Sequence, residues 1–250
     1  MPAPAGGWKR SRIVALFEND QAATEAGTLL LAQDWAKDVA LVAMRPVAEQ
    51  DWVRLTQSQF APVEIAPGFW IVPSWHEVPA GAQRVIRLDP GLAFGTGTHP
   101  TTALCLAWLD QLDLRGKTVL DFGCGSGILA IAALKLGAAR AIGIDNDPQA
   151  IIASRDNAER NGVVEHLDLY LPDDVPAGLS ADVVVANILA GALIALQPTI
   201  TAHCRNGSPL ALSGILANQA DEVAAAYRAD FADLAITPQE DWVRIDGVRR

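Results

Sequence analysis

Short apolar runs alternate with longer segments of helical hydrophobic spacing over most of the chain. The apolar runs predict strands at residues 84–88, 118–122, 141–145, 167–171, 182–186 and 209–212, with a more polar last strand at 241–250. The intervening segments predict helices at residues 103–112, 128–136, 148–161, 189–202 and 217–231. A run as apolar as Val183, Val184 and Val185 is typical of a strand buried on both faces, which favours a parallel sheet covered by helices. The alternation therefore predicts an α/β fold with a doubly wound sheet over residues 86–250.

The first part of the chain has a weaker pattern. It predicts a strand, a helix, a further short apolar run and a second short helix, at residues 12–18, 21–37, 38–44 and 51–60. These elements indicate a small α+β domain over residues 1–61. Four prolines then punctuate the chain, so residues 62–85 are interpreted as a linker with short elements, among them a strand at 69–73.

Composition and charge narrow the class of protein. Half of the 250 residues are hydrophobic and 19% are charged, which excludes a mainly disordered chain. The net charge is −10, from 19 basic and 29 acidic side chains. A protein that grips nucleic acid by its phosphates needs a basic face, so direct binding to a bare duplex is not expected. A basic protein partner suits this charge.

The three cysteines, at positions 105, 124 and 204, include no C-x-x-C pair. This number and spacing predict neither a disulfide framework nor a zinc site, and no metal is expected. No run of about 18 apolar residues suggests a membrane span. The sequence therefore predicts a soluble protein of the reducing cytoplasm.

The strongest chemical motif lies between a predicted strand and a predicted helix, where Gly123, Gly125 and Gly127 are spaced G-x-G-x-G after Asp121. Glycines allow a tight turn and let a ligand approach the backbone. A dinucleotide fingerprint would read G-x-G-x-x-G, and the carboxylate of Asp121 would repel a pyrophosphate. The same carboxylate suits a ligand with a cationic end, such as the amino acid part of S-adenosylmethionine. The alternative is a tight turn with no ligand.

Two further polar residues follow predicted strands. Asp145 comes 22 residues after Gly123, where an acidic residue commonly accepts hydrogen bonds from ribose hydroxyls. Its alternative role is to cap the next helix, which Asn146 or Asp147 could also do. Asn187 ends an apolar strand at the edge where ligands bind in such sheets, and its alternative role is again a helix cap.

The Gly- and Thr-rich segment of residues 91–102 precedes the first core strand and leads into a helix, with Pro100 in the first turn. It could fold over a ligand as a lid, and Thr102 could offer its hydroxyl. The alternative is a flexible connector before the helix, which spacing alone favours. Cys124 is interpreted as a small side chain that fits the glycine turn, because no positioned histidine supports it as a nucleophile.

Four stretches together resemble one bacterial family, the methyltransferases of large-subunit ribosomal protein eleven (PrmA). They are Asp89-Pro-Gly-Leu-Ala-Phe-Gly-Thr-Gly-Thr-His-Pro-Thr-Thr102, Asp121-Phe-Gly-Cys-Gly-Ser-Gly-Ile-Leu-Ala130, Val184-Val-Ala-Asn-Ile-Leu-Ala190 and Leu212-Ser-Gly-Ile-Leu216. The resemblance is dense from about residue 69 to residue 243. The glycine motif alone would indicate only a class I methyltransferase.

The resemblance implies a Rossmann-like class I fold and transfer of methyl groups from S-adenosylmethionine to lysine and N-terminal amines of a basic ribosomal protein. By position it implies cofactor contacts at Thr102, Gly123, Asp145 and Asn187. For Thr102, the resemblance therefore favours a contact with the cofactor over a position in a mere connector. Asp121 and Gly125 are cofactor-binding candidates from the glycine turn, and Asn187 is the candidate catalytic residue. Residues 1–61 would then be a reduced form of the family's substrate-recognition domain.

Other functions stay open on the sequence alone. The same cofactor motifs would serve a methyltransferase of another protein or of a small amine. A non-catalytic binder of the ribosomal protein that keeps the fold is a second alternative. A nicotinamide-dependent dehydrogenase is the weakest, because its glycine spacing differs.

Overall fold

The computed structural model describes residues 13–45, 60–89 and 99–250. The chain divides into two compact units, Met1–Leu55 and Thr56–Arg250. The predicted helix at residues 51–60, apart from Phe60, lies outside the described residues. The same holds for residues 91–98 of the segment 91–102, for which the sequence leaves a lid and a connector open.

The described part of the first unit contains helix α1 (Asp20–Leu31) and a short 3₁₀ turn at Ala36–Asp38. Asn19 caps α1 by accepting a hydrogen bond from the backbone N–H of Ala22 at 2.9 Å. The strand predicted at residues 12–18 is wrong for residues 13–18, which have no strand, and the helix ends at Leu31 instead of residue 37. A strand needs a hydrogen-bonded partner, and the described residues of this unit contain none.

A small three-stranded sheet begins the second unit, with β1 (Val63–Ala66), β2 (Phe69–Val72) and β3 (Arg84–Arg87). β1 and β2 are antiparallel, and β2 and β3 are parallel. Segment 62–85, expected as a linker, thus holds β1 and β2, and Phe69 and Ile71 are buried in the core of this unit. The sequence does not predict β1, because Pro62 and Pro67 flank it closely.

A seven-stranded sheet forms the body of the second unit. Its strands are β4 (Thr118–Phe122), β5 (Arg140–Ile144), β6 (Leu167–Tyr170), β7 (Val183–Asn187), β8 (Pro209–Leu216), β9 (Phe231–Gln239) and β10 (Trp242–Arg249). Its helices are α2 (Pro100–Asp110), α3 (Ile128–Lys135), α4 (Pro148–Arg160), α5 (Ala190–Ala195), α6 (Gln197–Ala202) and α7 (Ala220–Tyr227). Pro100 occupies the first turn of α2, as predicted.

The strand order is β6-β5-β4-β7-β8-β10-β9. β4 to β8 are parallel, and β10 is antiparallel to both of its neighbours. Val183 and Val185 belong to the core on one face and Val184 to the core on the other, as expected for strands covered on both sides. The doubly wound α/β fold predicted from the sequence is confirmed.

The C-terminal part differs from the prediction in two places. The helix predicted at residues 217–231 is a 3₁₀ turn followed by α7, which ends at Tyr227, and strand β9 then begins at Phe231. The sequence pattern does not reveal β9, because it is an edge strand whose apolar residues do not alternate regularly, with a positive φ of 54° at Asp233 and a proline at position 238. The helix predicted at residues 189–202 divides into α5 and α6, with Pro198 in the first turn of α6.

Tyr227 joins α7 to the core by a buried hydrogen bond. The side chain is fully buried, and its hydroxyl donates to the Leu193 carbonyl at 2.8 Å. We expect Tyr227→Phe to lower the free energy of unfolding by about 1 to 2 kcal/mol, because the carbonyl loses a buried donor. Urea unfolding measures this. The matched control is Tyr170→Phe, at the half-buried second tyrosine, and equal losses in the two variants would contradict the prediction.

Candidate functional site

The candidate site lies at the carboxyl ends of three neighbouring strands. β5 adjoins β4 on one side and β7 adjoins it on the other, so the strand order reverses between β4 and β7. In open α/β sheets, ligands bind in the crevice at this switch point. Asp145 follows β5, the glycine turn follows β4, and Asn187 ends β7. The fold therefore brings together the predicted residues from all three strands.

The glycine turn between β4 and α3 has the conformation that its sequence predicts. Gly123, Gly125 and Gly127 have φ values of +79°, +54° and +76°, which side chains with a Cβ rarely adopt. The N–H groups of Gly123 and Cys124 both donate to the carbonyl of Ile144, at 2.7 and 3.1 Å. These bonds tie the turn to the end of β5.

Asp121 is the residue of the site that most needs a further partner. It is 1% exposed, and one carboxylate oxygen, Oδ2, accepts a hydrogen bond from the Ala130 N–H at 3.2 Å. The other oxygen, Oδ1, is the one buried side-chain N or O atom among the described residues that has no hydrogen-bond partner. Burial raises the pKa of this carboxyl to about 7, and the negative charge of Asp145 contributes to the increase. A cationic hydrogen-bond donor next to Oδ1 would give this oxygen a partner and would lower the pKa of the carboxyl again.

Asp145 holds the glycine turn in place and is half-buried. Its Oδ2 accepts from the Gly125 N–H at 2.8 Å, and its Oδ1 accepts from the Asp147 N–H at 3.0 Å. Asp147, not Asp145, caps α4, through a bond from the Gln149 N–H at 2.9 Å. Each carboxylate oxygen has a further lone pair, so Asp145 can also accept ribose hydroxyls.

Asn187 and Thr102 meet across the site. The Asn187 Nδ2 donates to the Thr102 hydroxyl at 3.3 Å, which links the end of β7 to the first turn of α2. Thr102 is 2% exposed. The cap position of α5 is Leu189 and has no side-chain cap, so Asn187 does not have the capping role considered as its alternative. The bond turns the amide oxygen, Oδ1, away from Thr102.

One cavity is lined by all of the predicted site residues except Asp145, which is not part of its lining. Its lining residues are Thr102, Asp121, Gly123, Cys124, Gly125, Ile128, Leu129 and Asn187. Burial, with the nearby charge of Asp121, holds the pKa of the Cys124 thiol far above its usual range, so this thiol is a packing group and not a nucleophile.

Among the described residues, no group of three or more His, Cys, Asp or Glu is arranged to hold a metal ion. Within the same described ranges, no helix is long and apolar enough to cross a membrane.

A second, larger cleft of about 270 Å³ lies between α7 and β9, and it contains none of the predicted site residues. Its lining includes Asp221, Arg228, Asp233 and Arg250, which are charges of both signs. The cavity at the switch point is the better candidate for the functional site. It brings together a glycine turn, an amide and a buried carboxylate that has no partner for one oxygen among the described residues.

Two aromatic side chains are in contact at the same edge of the sheet, and the sequence predicts neither of them as a site residue. His99 caps α2, and its ring lies 4.8 Å from the Trp242 ring at 70°, an edge-to-face contact. Trp242 begins β10 opposite Leu216, the last residue of β8. No spacing in the sequence indicates this contact, because the two residues meet only through the antiparallel pairing of β10.

Comparisons with known proteins agree with this geometry. The family model described as ribosomal protein L11 methyltransferase (PrmA) matches residues 3–250. A protein of that name from Edwardsiella ictaluri is 64% identical over 204 residues, which are 82% of this chain and 70% of that protein. One from Vibrio cholerae is 52% identical over 247 residues, 99% of this chain and 84% of that protein.

A solved structure gives the same result. The ribosomal protein L11 methylase of Lactobacillus delbrueckii subsp. bulgaricus superposes with a TM-score of 0.69 at 34% identity, over 76% of this chain and all of that one. Family model, sequence identity and fold thus coincide over the part of the chain that carries Asp121, Asp145 and Asn187. The chain belongs to the ribosomal protein L11 methyltransferase family.

Proposed function

We propose that this methyltransferase transfers methyl groups from S-adenosylmethionine to lysine side chains and the N-terminal amine of ribosomal protein L11. The observation that carries the proposal is the buried carboxylate of Asp121. This residue lines the cavity beside the glycine turn, and its Oδ1 has no partner among the described residues. An uncompensated buried charge is costly, and a ligand ammonium group would remove that cost.

The residues present fit this cofactor. Asp121 would accept the ammonium group of its amino acid part, and the turn from Gly123 to Gly125 would let that part approach the backbone. The Asp145 carboxylate would accept the ribose hydroxyls, and Thr102 and Asn187 would complete the side next to α2. The bound cofactor supplies an electrophilic methyl group on a positively charged sulfur.

The chain's part in the reaction is to position and desolvate the amine. Methyl transfer forms an N–C bond while the S–C bond breaks, and it requires the neutral amine. A free lysine has a pKa of about 10.4 and an α-amine one of about 8, so the amine must lose a proton to water before attack. Asn187 would accept an amine N–H at Oδ1, while its Nδ2 stays bound to Thr102. Much of the rate then comes from holding nitrogen, methyl and sulfur in line.

We assign recognition of the target protein to the net negative charge of the chain and to its N-terminal domain. The net charge of −10 favours a basic target over a phosphate backbone. Residues 1–61 would form the reduced substrate-recognition domain, 62–85 the connection and 86–250 the methyltransferase domain. With a ribosomal protein as target, the reaction would take place in the cytoplasm, and we expect no direct binding to duplex nucleic acid or to a membrane.

The test is a mass spectrum of unmethylated ribosomal protein L11 after incubation with the protein and S-adenosylmethionine. We expect mass increases in whole multiples of one methylene group, at lysine-containing peptides and at the N-terminal peptide. A parallel sample with Asn187→Ala serves as the control for contaminating activity. Cofactor binding without any mass increase would contradict the proposed target and leave another protein or a small amine, whereas absence of cofactor binding would contradict the proposed site.

A further inference from the structure

One stretch of the family resemblance has no role in the site described so far. Leu212-Ser-Gly-Ile-Leu216 lies within β8, and Ser213 pairs with Asn187 in the parallel ladder of β7 and β8. Gly214 follows Ser213 with a φ of +84°, inside a strand that is otherwise extended. The pairing of β8 with β10 changes register between Val243 and Ile245, so Gly214 also lies at a β-bulge. A glycine inside a strand marks a bulge, a tight bend or a close approach of another part of the backbone.

The approaching segment is the Ile188 peptide, directly after Asn187. A Cβ on Gly214 would lie 2.2 Å from the Ile188 carbonyl oxygen, 2.8 Å from its carbonyl carbon and 3.2 Å from its nitrogen. All three contacts are with backbone atoms, so no side-chain rotation can relieve them. Only glycine at position 214 lets the chain after Asn187 lie where it does.

The Ile188 side chain contacts the cofactor turn on its other side. A Cβ on Gly123 would lie 2.2 Å from the Ile188 Cγ2 atom, so this methyl group fills the space beside Gly123. Ile188 is also packed against the hydrophobic core on one face of the sheet. Its backbone therefore touches β8 while its side chain touches the turn after β4.

We propose that Gly214 and Ile188 are positioning residues for the methyl transfer. Gly214 leaves room for the Ile188 backbone, and the Ile188 side chain sets the separation from Gly123. Together they fix the direction of the Asn187 amide relative to the glycine turn. The proposal rests on the proposed function of Asn187.

We expect Gly214→Ala to push the Ile188 peptide away from β8 and to turn the Asn187 amide. Misplacement of a reacting group by about 1 Å can cost about 100-fold in rate, so kcat should fall by roughly that factor. The affinity for S-adenosylhomocysteine should change by less than about threefold, because Asp121 lies in β4 and Asp145 follows β5, so neither belongs to β7 or β8.

The matched control is Gly207→Ala. Gly207 has a φ of +80°, and a Cβ at this position would meet no neighbouring atom within 4 Å, so the variant reproduces the backbone strain without the clash. Gly207 lies before the other end of β8, away from the site. Its kcat should stay within about twofold of the wild type, although both variants should have a lower melting temperature.

Two measurements separate positioning from general damage. One is kcat on ribosomal protein L11, with cofactor affinity by calorimetry. The other is the side-chain amide signal of Asn187 in an NMR spectrum of the free protein, assigned by its loss in Asn187→Ala. We expect this signal to shift in Gly214→Ala and to stay in place in Gly207→Ala. An unmoved signal would overturn the proposal even if ribosomal protein L11 is not the target, whereas an inactive wild type would count only against the proposed function.

A second pair of variants tests the same inference if Gly214→Ala does not fold. Ile188→Val keeps the Cγ2 methyl group beside Gly123, and Ile188→Ala removes it. We expect Ile188→Ala to lower kcat by about tenfold and to shift the Asn187 amide signal, and Ile188→Val to resemble the wild type. Equal kcat values and amide signals in the two variants would contradict the role assigned to Ile188.

Discussion

Asn187→Ala is expected to lower kcat for methylation by about 100-fold while it changes cofactor affinity by less than about threefold. The amide is anchored at Nδ2 by the Thr102 hydroxyl, 3.3 Å away, so its oxygen is held in one direction at the end of β7. Loss of a group that orients the nucleophile affects the transition state more than the ground-state complex. Methyl transfer by mass spectrometry and cofactor binding by calorimetry measure the two effects separately.

Thr102→Val is the companion variant for this prediction. It keeps the shape of the buried side chain and removes the hydroxyl that accepts from Asn187. We expect about a tenfold loss in kcat, and the double variant should lose no more than Asn187→Ala alone, because both act through one hydrogen bond. Equal losses of kcat and of cofactor affinity in Asn187→Ala would show that the amide serves binding and not orientation.

The sequence predicts the parts of the fold in which local pattern and tertiary environment agree. The strand at residues 118–122 has the predicted bounds, because its apolar residues are buried on both faces and Gly123 ends it. The pattern does not predict β9, because its apolar residues do not alternate regularly and its pairing partner is β10, which follows it in the chain. The strand expected at residues 12–18 is wrong where the structure describes it, because apolar β-branched residues indicate strand propensity but not a pairing partner.

Some features of the candidate site can likewise be predicted from the sequence, and others cannot. Asp121, Asp145 and Asn187 can be predicted because polar residues at the carboxyl ends of buried parallel strands meet at one edge of a sheet. The contacts of Ile188 with Gly123 and Gly214 cannot, because they depend on the separation of three strands, which periodicity does not contain. The missing partner of Asp121 Oδ1 among the described residues is likewise a property of the packed structure and has no sequence signal.

Asp121→Asn is expected to have opposite effects on cofactor binding and on the stability of the cofactor-free protein. Asparagine has the same shape and can still accept from the Ala130 N–H, but it lacks the charge that would attract an ammonium group. A hydrogen bond to a charged group contributes about 1.5 to 3 kcal/mol, so the affinity for S-adenosylmethionine should fall by about 10- to 100-fold. Calorimetry at about pH 8, above the raised pKa, measures this loss.

The stability effect follows from the raised pKa of Asp121. An unfolded aspartate has a pKa of about 3.9, and burial raises it to about 7 in the folded protein. Between these values the folded state holds a proton that the unfolded state has lost, so the free energy of unfolding falls as the pH rises from about 4 to 7. Above about pH 7 the ionised carboxylate costs up to about 4 kcal/mol, which asparagine avoids.

Without cofactor, Asp121→Asn should therefore be more stable than the wild type at about pH 8, and the difference should shrink as the pH falls toward about 4. Urea unfolding at about pH 8 and about pH 5 measures it, with Asp173→Asn as the control at an exposed carboxylate. A saturating cofactor should reverse the order at the higher pH, because it then stabilises the wild type more strongly. A variant that is less stable than the wild type at both pH values, with unchanged cofactor affinity, would mean that Asp121 is a structural carboxylate and that the cationic end of the ligand binds elsewhere.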